Sequence, residues 1–395
     1  MKILILTSSF TPDLNPGSFR MAALIKNLEK LENVGLQIDL ITSVNNEFKI
    51  DRNSFSTYNV NNQLNIYKIF YKKSNFRASK ILSFMNYANF ANKVASKNEY
   101  DLVFATSSKL GTAVLGSHIS RKQNCKLYLD IRDLFVENIE ELYKFGFIKL
   151  IVFPLLKKIE KNTINRATKI NIVSGGFDSY LKKISPKISL SLYTNGIDEL
   201  FSNATFQKSK PNKQIIKILY AGNIGEGQGL EKILPEAALK LGDRVIFKVI
   251  GNGAYKERLI EEKKRLGLKN ILISDPVSRN ELMKEYSKSD ILFLHLNNYK
   301  VFEKVIPSKI FEYGATGKPI LAGVSGYPKT FISNHLPDVI FFDPTNVMQL
   351  IKRVVNFEVN ENFIDRTEFL KKFNREKIMG EMAKEIISLA SNKDC

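Results

Sequence analysis

The residues with the most chemical content lie in the run Glu303-Lys304-Val305-Ile306-Pro307-Ser308-Lys309-Ile310-Phe311-Glu312-Tyr313-Gly314-Ala315-Thr316-Gly317-Lys318-Pro319-Ile320. Proline suits the first turn of a helix and serine can cap its amides. The run therefore predicts a helix over Ser308–Gly314, after an apolar strand at Ile291–Leu294. A helix start offers uncommitted N–H groups and the positive end of the dipole, a setting for an anion. Lys309 adds a mobile positive charge. Glu312, one turn further on the same face, can accept from the two vicinal hydroxyls of a ribose. Phosphate at the helix start and ribose on the glutamate together describe a nucleoside diphosphate. The same residues also fit an ordinary amphipathic helix with a solvated glutamate, and the segment alone leaves both readings open.

The elements that must position such a site are legible as alternating apolar runs and helical patterns. Strands are expected at Lys2–Thr7, Leu36–Thr42, Asp101–Thr106, Lys126–Ile131, Lys169–Val173 and Ile188–Tyr193, with helices between, such as Arg20–Leu31. A polar stretch, Ser202 to Gln214, follows. The alternation then restarts with strands at Ile215–Ala221, Val245–Ile250, Ile271–Ser274, Ile291–Leu294, Pro319–Ala322 and Val339–Phe342. Strands apolar throughout and separated by helices predict parallel sheets covered on both faces. The fold class is α/β, with two doubly wound Rossmann-like domains facing across a cleft. Ligands of such sheets bind at the carboxyl ends of the strands, at the switch point. The boundaries are a first domain over 1–200, a linker over 201–214, a second domain over 215–360 and a helical segment over 361–395, expected to pack back on the first domain.

Composition excludes several classes. The 395 residues are 44% apolar, which argues against disorder. Two cysteines, Cys125 and Cys395, are too few for a disulfide framework or a four-ligand zinc site, and His118, His295 and His335 are scattered. Neither the N-terminus nor the apolar run Phe145–Leu156, broken by Lys149 and Pro154, has the length of a signal peptide or a spanning helix. The chain is thus expected to be cytoplasmic, with any membrane association peripheral.

Several segments together resemble a known family. Pro307-Ser308-Lys309-Ile310-Phe311-Glu312-Tyr313 with Gly317-Lys318-Pro319-Ile320 resembles the nucleotide-sugar-binding segment of the retaining glycosyltransferases of family 4, two-domain enzymes of the GT-B fold. Tyr220-Ala221-Gly222-Asn223-Ile224-Gly225-Glu226-Gly227-Gln228-Gly229-Leu230 resembles the first strand and loop of their second domain. Phe247–Gly253, Val173–Phe177, Thr194–Asp198, and Thr11-Pro12 with Pro16-Gly17 resemble further segments in the same order.

The resemblance implies that the second domain holds a nucleotide-sugar donor and the first domain the acceptor. Glu312 would hold the ribose; Ser308, Lys309 and the amides beside them, the diphosphate. The loop carrying Gly222, Asn223, Gly225 and Gln228 would approach from the other side, Gly17 would line the cleft from the first domain, and Val277 would lie near the base. No cofactor or metal is implied, and no Asp-x-Asp metal motif is present.

The chain departs from the pattern where many members carry a first glutamate eight positions before Glu312. Lys304 stands there, preceded by Glu303. Asn223 and Gln228 stand where many carry arginine and lysine. Arg132-Asp133-Leu134 replaces a His-Asp pair. That form is similar to a branch transferring N-acetylated aminosugars in bacterial surface polysaccharide assembly (lipopolysaccharide O-antigen or capsule). It implies UDP as the nucleotide and a polyprenyl-diphosphate-linked saccharide as acceptor. Arg132 and Asp133 are the candidates for contacts to sugar or acceptor, with a structural ion pair as the alternative. A UDP-sugar epimerase of the same shape, or a nucleotide-sugar-binding protein without activity, are the competing functions.

The net charge of +19 asks for an anionic partner. It divides into +11 over residues 1–200 and +8 over 201–395. Tyr67 to Lys97 contains Lys68, Lys72, Lys73, Arg77, Lys80, Lys93 and Lys97 and no acidic residue, with aromatics interleaved. Lys144 to Lys161 mixes Phe145, Phe147, Ile148, Leu150, Ile151 and Phe153 with Lys149, Lys157, Lys158 and Lys161. Basic residues with exposed aromatics suit a headgroup zone, so an anionic inner-membrane surface, on its cytoplasmic face, is expected. Taken singly, the aromatics are expected to be buried. No motif for nucleic-acid recognition is visible, and nucleic acid is not expected as a partner.

Overall fold

The computed structural model describes all residues except 14, 32–34, 46–54, 62, 72–76, 108, 143–147, 205, 207–214, 359–363 and 393–395. Residues 205 and 207–214 of the expected linker therefore lie outside the described residues, as do Lys72, Lys73 and Lys144 of the basic stretches. The chain divides into two compact units, Met1–Asn195 with Arg375–Cys395, and Gly196–Asn374.

In the first unit the strands are β1 (Lys2–Leu6), β2 (Gln37–Asn45), β3 (Phe55–Asn59), β4 (Leu64–Tyr71), β5 (Leu102–Ser107), β6 (Lys126–Ile131), β7 (Lys169–Ile172) and β8 (Leu190–Leu192). They form one sheet in the order β3-β4-β2-β1-β5-β6-β7-β8. β3 runs antiparallel to β4, and the other pairings are parallel. The six expected strands are present. The β3–β4 hairpin falls where the sequence suggested no strand. β4 alternates buried and half-buried positions with Lys68 among the latter, a weaker signal than the wholly buried Leu-Val-Phe-Ala-Thr-Ser of β5.

The helix Pro16–Lys30 leaves β1 with proline at its start and the Asn15 side chain accepting from Ser18 N at 3.0 Å. Its apolar face, with Met21, Leu24, Ile25 and Leu28, is buried, and the helix packs on Arg375–Ser391 at the end of the chain.

The second unit holds β9 (Ile216–Asn223), β10 (Val245–Asn252), β11 (Ile271–Ser274), β12 (Ile291–His295), β13 (Ile320–Gly323) and β14 (Val339–Phe342). All pairs are parallel, in the order β11-β10-β9-β12-β13-β14. The order reverses beside β9, as it does beside β1 in the first unit; both units are Rossmann-like. β12 and β13 are buried along their whole length, as strands covered on both faces must be.

One polar feature of the first core was not foreseen. Arg20, among the buried residues of the helix Pro16–Lys30, is 1% exposed. Its Nε and Nη2 donate to the two carboxylate oxygens of Asp130 at 3.0 and 2.9 Å, and its Nη1 donates to Thr194 O at 2.6 Å. Asp130, in β6, also accepts from Asn171 Nδ2 at 2.7 Å and Thr106 Oγ1 at 3.3 Å. The pair joins the first helix to three strands and the segment after β8. A buried charge left without its partner costs about 3–5 kcal/mol. Arg20→Ala and Asp130→Ala should each lose about that much in urea unfolding; a loss below about 1 kcal/mol would contradict the role.

Candidate functional site

In the second unit, Gly222 and Asn223 end β9 and His295 ends β12, the two strands flanking the switch point. The following helix begins at Lys309, one residue later than expected, and runs to Ala315. Ser308 has helical backbone angles (φ −58, ψ −25), and its side chain caps nothing. The amides of Ile310 and Phe311 donate to Pro307 O and Ser308 O at 3.0 and 3.2 Å. The first turn is therefore tight, and two of the amides expected to be free are taken. This shifts the anion-holding capacity of the segment toward the Lys309 side chain.

Glu312 is held from one side. Lys309 Nζ donates to its Oε2 at 2.8 Å, and Tyr286 Oη donates to the same oxygen at 2.9 Å. The side chains of Lys309 and Glu312 keep 27% and 19% of their surface exposed, so the pair is reachable. Two donors on one oxygen orient the carboxylate and leave the second oxygen to a ligand. Tyr286 is the single wholly buried residue of the polar helix Arg279–Lys288. Burial drives its hydroxyl far above the usual phenol range, with the Glu312 charge adding to the effect, so it remains a donor. Beside it, Tyr313 Oη accepts from Ala221 N at 3.1 Å and ties the short helix to β9. Lys318, whose burial lowers its amine to about 8, donates to the carbonyls of Ser287 and Ser289 at 2.8 and 2.6 Å. The lysine of Gly317-Lys318-Pro319 thus closes the end of the Tyr286 helix and is a structural group.

The glycine-containing loop after β9 folds on itself. Gln228 Oε1 accepts from Asn223 Nδ2 at 2.8 Å and from Gly225 N at 3.2 Å. Tyr220 Oη donates to Asn223 O at 2.5 Å. A Cβ on Gly222 would stand 3.6 Å from Cε of Lys309, so this glycine faces the Lys309–Glu312 pair. Gly229 has φ +56, which favours glycine, and starts the helix Leu230–Leu241. His295 is 2% exposed and stands between two carbonyls, Gln228 O at 2.5 Å from Nδ1 and Pro344 O at 3.0 Å from Nε2. Burial lowers its pKa below the ordinary imidazole value. It is a clip on the loop and not a lining residue.

Val277 lies apart from these groups. It lines a cavity of about 280 Å³ beside β10 and β11, with Lys248, Ile250, Ser274, Glu281 and Lys284. Glu303 is exposed in the turn Phe302–Lys304, its backbone against Gly326.

In the first unit the structure brings Gly17 and Arg132 together. Arg132 follows β6, its amide donating to Ser107 O at 3.1 Å, and a Cβ on Gly17 would collide with the guanidinium. Only glycine at the start of that helix leaves Arg132 its place. Arg132 Nε is buried without a hydrogen-bond partner. Burial lowers the Arg132 pKa, against the opposing effect of Asp130. Asp133 lines a small cavity with Ser107, Leu134 and Glu160, and burial raises its carboxyl to about 6. No salt bridge joins the adjacent Arg132 and Asp133 among the described contacts, although each charge favours the ionised form of the other.

The reading from sequence missed Tyr286, Tyr220 and Arg20. A tyrosine on a mainly polar helix, with Leu282 and Met283, was the available signal for Tyr286, since a buried hydroxyl needs a partner. Among the described residues no group of three or more His, Cys, Asp or Glu could hold a metal ion.

Residues 201–377 match the family described as Glycosyl transferases group 1. A stretch of 107 residues is 36% identical to WcaI of Escherichia coli (strain K12), whose name places it as a glycosyl transferase in colanic acid biosynthesis. That stretch is 27% of this chain and 25% of WcaI, so the chain spans about a quarter of the length of the curated relative it matches. Among solved structures, the sucrose-phosphate synthase of Thermosynechococcus elongatus superposes with a TM-score of 0.76 at 14% identity, over 98% of both chains. HepE of Anabaena, in complex with UDP and glucose, superposes with a TM-score of 0.67 at 14% identity, over 98% of this chain and 100% of that one. At these identities the likeness is one of fold. The chain has the GT-B fold of two Rossmann-like domains, and its residues 201–377 are similar to the glycosyl transferases group 1 family.

Proposed function

We propose that the protein is a retaining glycosyltransferase of surface polysaccharide assembly. It would move an N-acetylated aminosugar from a UDP-linked donor to a polyprenyl-diphosphate-linked saccharide. The observation that carries the reading is Glu312, oriented through one oxygen by Tyr286 and Lys309 within the segment that matches the family. The printed description of HepE, which names UDP and glucose, supports a nucleotide-sugar donor. The naming of WcaI for colanic acid biosynthesis supports a polysaccharide product.

In this reading the free oxygen of Glu312 accepts from the ribose hydroxyls, and Lys309 meets the diphosphate. Gly222 lets the donor approach, with the loop held by Asn223, Gly225 and Gln228, while Ser308 supplies backbone at the helix start and Val277 borders the base. In the first unit, Gly17 and Arg132 stand together at the strand ends. The unpartnered Nε of Arg132 is a donor awaiting an acceptor, and Asp133 contacts the sugar or the acceptor.

During transfer the bond between the anomeric carbon and the phosphate oxygen breaks, and the diphosphate leaves with the electron pair. The acceptor hydroxyl bonds to that carbon on the same face, and its proton passes to the departing phosphate oxygen. Lys309, already placed, lowers the energy of the developing charge without reorganising, and no step calls on a metal.

Glu312→Ala removes a charge-assisted contact worth about 1.5–3 kcal/mol, so kcat/KM for the donor should fall roughly ten- to hundredfold. Wild-type turnover at limiting donor would refute the assignment. Binding of UDP without transfer to any lipid-linked saccharide would favour the inactive binding protein. Tyr286→Phe frees Glu312 from one of its two donors; calorimetric UDP affinity should drop about three- to tenfold, with Tm reported in parallel. Asp133, with its pKa raised to about 6, is ionised at neutral pH and protonates as pH falls through 6. The transfer rate should therefore fall about tenfold from pH 7 to 5, and Asp133→Asn should flatten that limb. An unchanged limb in the variant would remove Asp133 from the reaction.

A further inference from the structure

We infer that the first unit docks on an anionic lipid bilayer through the outward faces of two helices, Arg77–Ala95 and Ile148–Arg166. The inference goes beyond the proposed transfer reaction and is tested without it. Both helices pack on the same neighbour, Leu110–Lys122. The Phe84 ring lies where a side chain on Gly111 would stand, and Phe153 is buried against Leu110 and Val136. Their inward residues are thereby accounted for. Tyr87 is buried and donates to Thr7 O and Ile41 O at 3.2 and 3.1 Å. Phe90 packs on Tyr67. Tyr87 is thus buried and Phe84 and Phe90 are half-buried, in keeping with the expectation for the aromatics taken singly, so they are not the residues that face outward.

What faces out is aliphatic. Ile81 and Leu82 are each 61% exposed, Met85 53%, Leu150 73%, Ile151 77% and Leu155 56%. With Val152 they are seven of the thirteen strongly exposed large apolar residues among those described; of the other six, Val60 and Leu192 lie in the first unit and Leu239, Leu272, Met348 and Val355 in the second. Single exposed residues are ordinary, but two crests on helices sharing one neighbour are not. Both crests occupy the first halves of their helices. Tyr87 reaches the residue after β1 and the middle of β2, and Phe153 reaches the first residue of the helix after β5; the crests precede Tyr87 and include the neighbours of Phe153, so they lie toward the sheet edge that carries Gly17 and Arg132.

Charge selects the occupant. Lys80 and Lys93 on the first helix, and Lys158 and Lys161 on the second, are exposed and have no carboxylate partner among the described residues. The first helix contains no acidic residue, and the second only Glu160, which is buried and accepts from Tyr180. A second copy of the chain meeting this face by two-fold symmetry would set lysine against lysine. A nucleic acid would leave the aliphatic crests uncovered. An anionic headgroup layer above an acyl region satisfies both.

The test is co-sedimentation of the full chain with phosphatidylcholine vesicles, with and without phosphatidylglycerol. The wild type should bind the anionic vesicles at low salt and release as salt rises. Leu150→Glu/Ile151→Glu should lower partitioning at least tenfold with an unchanged Tm, since both residues are exposed. Lys158→Glu/Lys161→Glu should lower it by tenfold or more on anionic vesicles, each surface-bound lysine being worth about fivefold. Absence of wild-type binding at low salt would overturn the inference. So would wild-type binding by the Leu150/Ile151 variant, or a dimer in solution that those substitutions dissociate. Glu312→Ala should sediment like the wild type, so this inference and the transferase reading can fail separately.

Discussion

Parallel strands joined by right-handed crossovers impose one constraint on both units. Connections leaving the first strand in one direction place helices on one face, and those leaving in the other direction place them on the opposite face. At the reversal no crossover covers the carboxyl ends. The orders β4-β2-β1-β5 and β11-β10-β9-β12 set that reversal beside β1 and beside β9. Gly17 follows β1, Gly222 ends β9, and the helix of Lys309 and Glu312 follows β12. The groups with chemistry to offer are where the topology leaves a sheet edge open.

The polar groups near those edges follow two regimes. Asp130 is wholly buried and fully engaged by Arg20, Asn171 and Thr106, an arrangement that specifies how the first helix sits on its sheet. Glu312 is partly exposed and engaged through one oxygen only. Arg132, two residues beyond Asp130, keeps a buried Nε with no partner. A satisfied buried group stabilises; an oriented but incompletely satisfied group is disposed toward a ligand. The contrast between Asp130 and Arg132, so close in sequence, shows that carboxylate and guanidinium types alone do not separate the two.

The basic stretches show the same division between sequence and packing. Their lysines were visible in the sequence, over 67–97 as an acid-free run. Which apolar residues accompany them outward was decided by the neighbours. Phe84, Tyr87 and Phe153 are consumed by the sheet and the helix Leu110–Lys122, leaving Ile81, Leu82, Leu150 and Ile151 outside. Aromatic content was therefore a poor guide to exposure here.

By itself the sequence determined the strand-helix alternation, twelve of the fourteen strands among the described residues, the doubly wound class and the segment holding Lys309 and Glu312. Local apolar patterning and turn chemistry are properties of neighbours along the chain, and they suffice for these. The β3–β4 hairpin escaped because β3 is a short edge strand with few aliphatic residues and β4, with Lys68 among its half-buried positions, patterns weakly. Tyr286 meets Glu312 across 26 positions, Arg20 meets Asp130 across 110, and Gly17 yields its place to Arg132 across a similar span. No periodicity encodes such pairings. Only the folding of the sheet brings the partners within hydrogen-bonding reach, and burial then decides whether each group is consumed by the fold or left for a ligand.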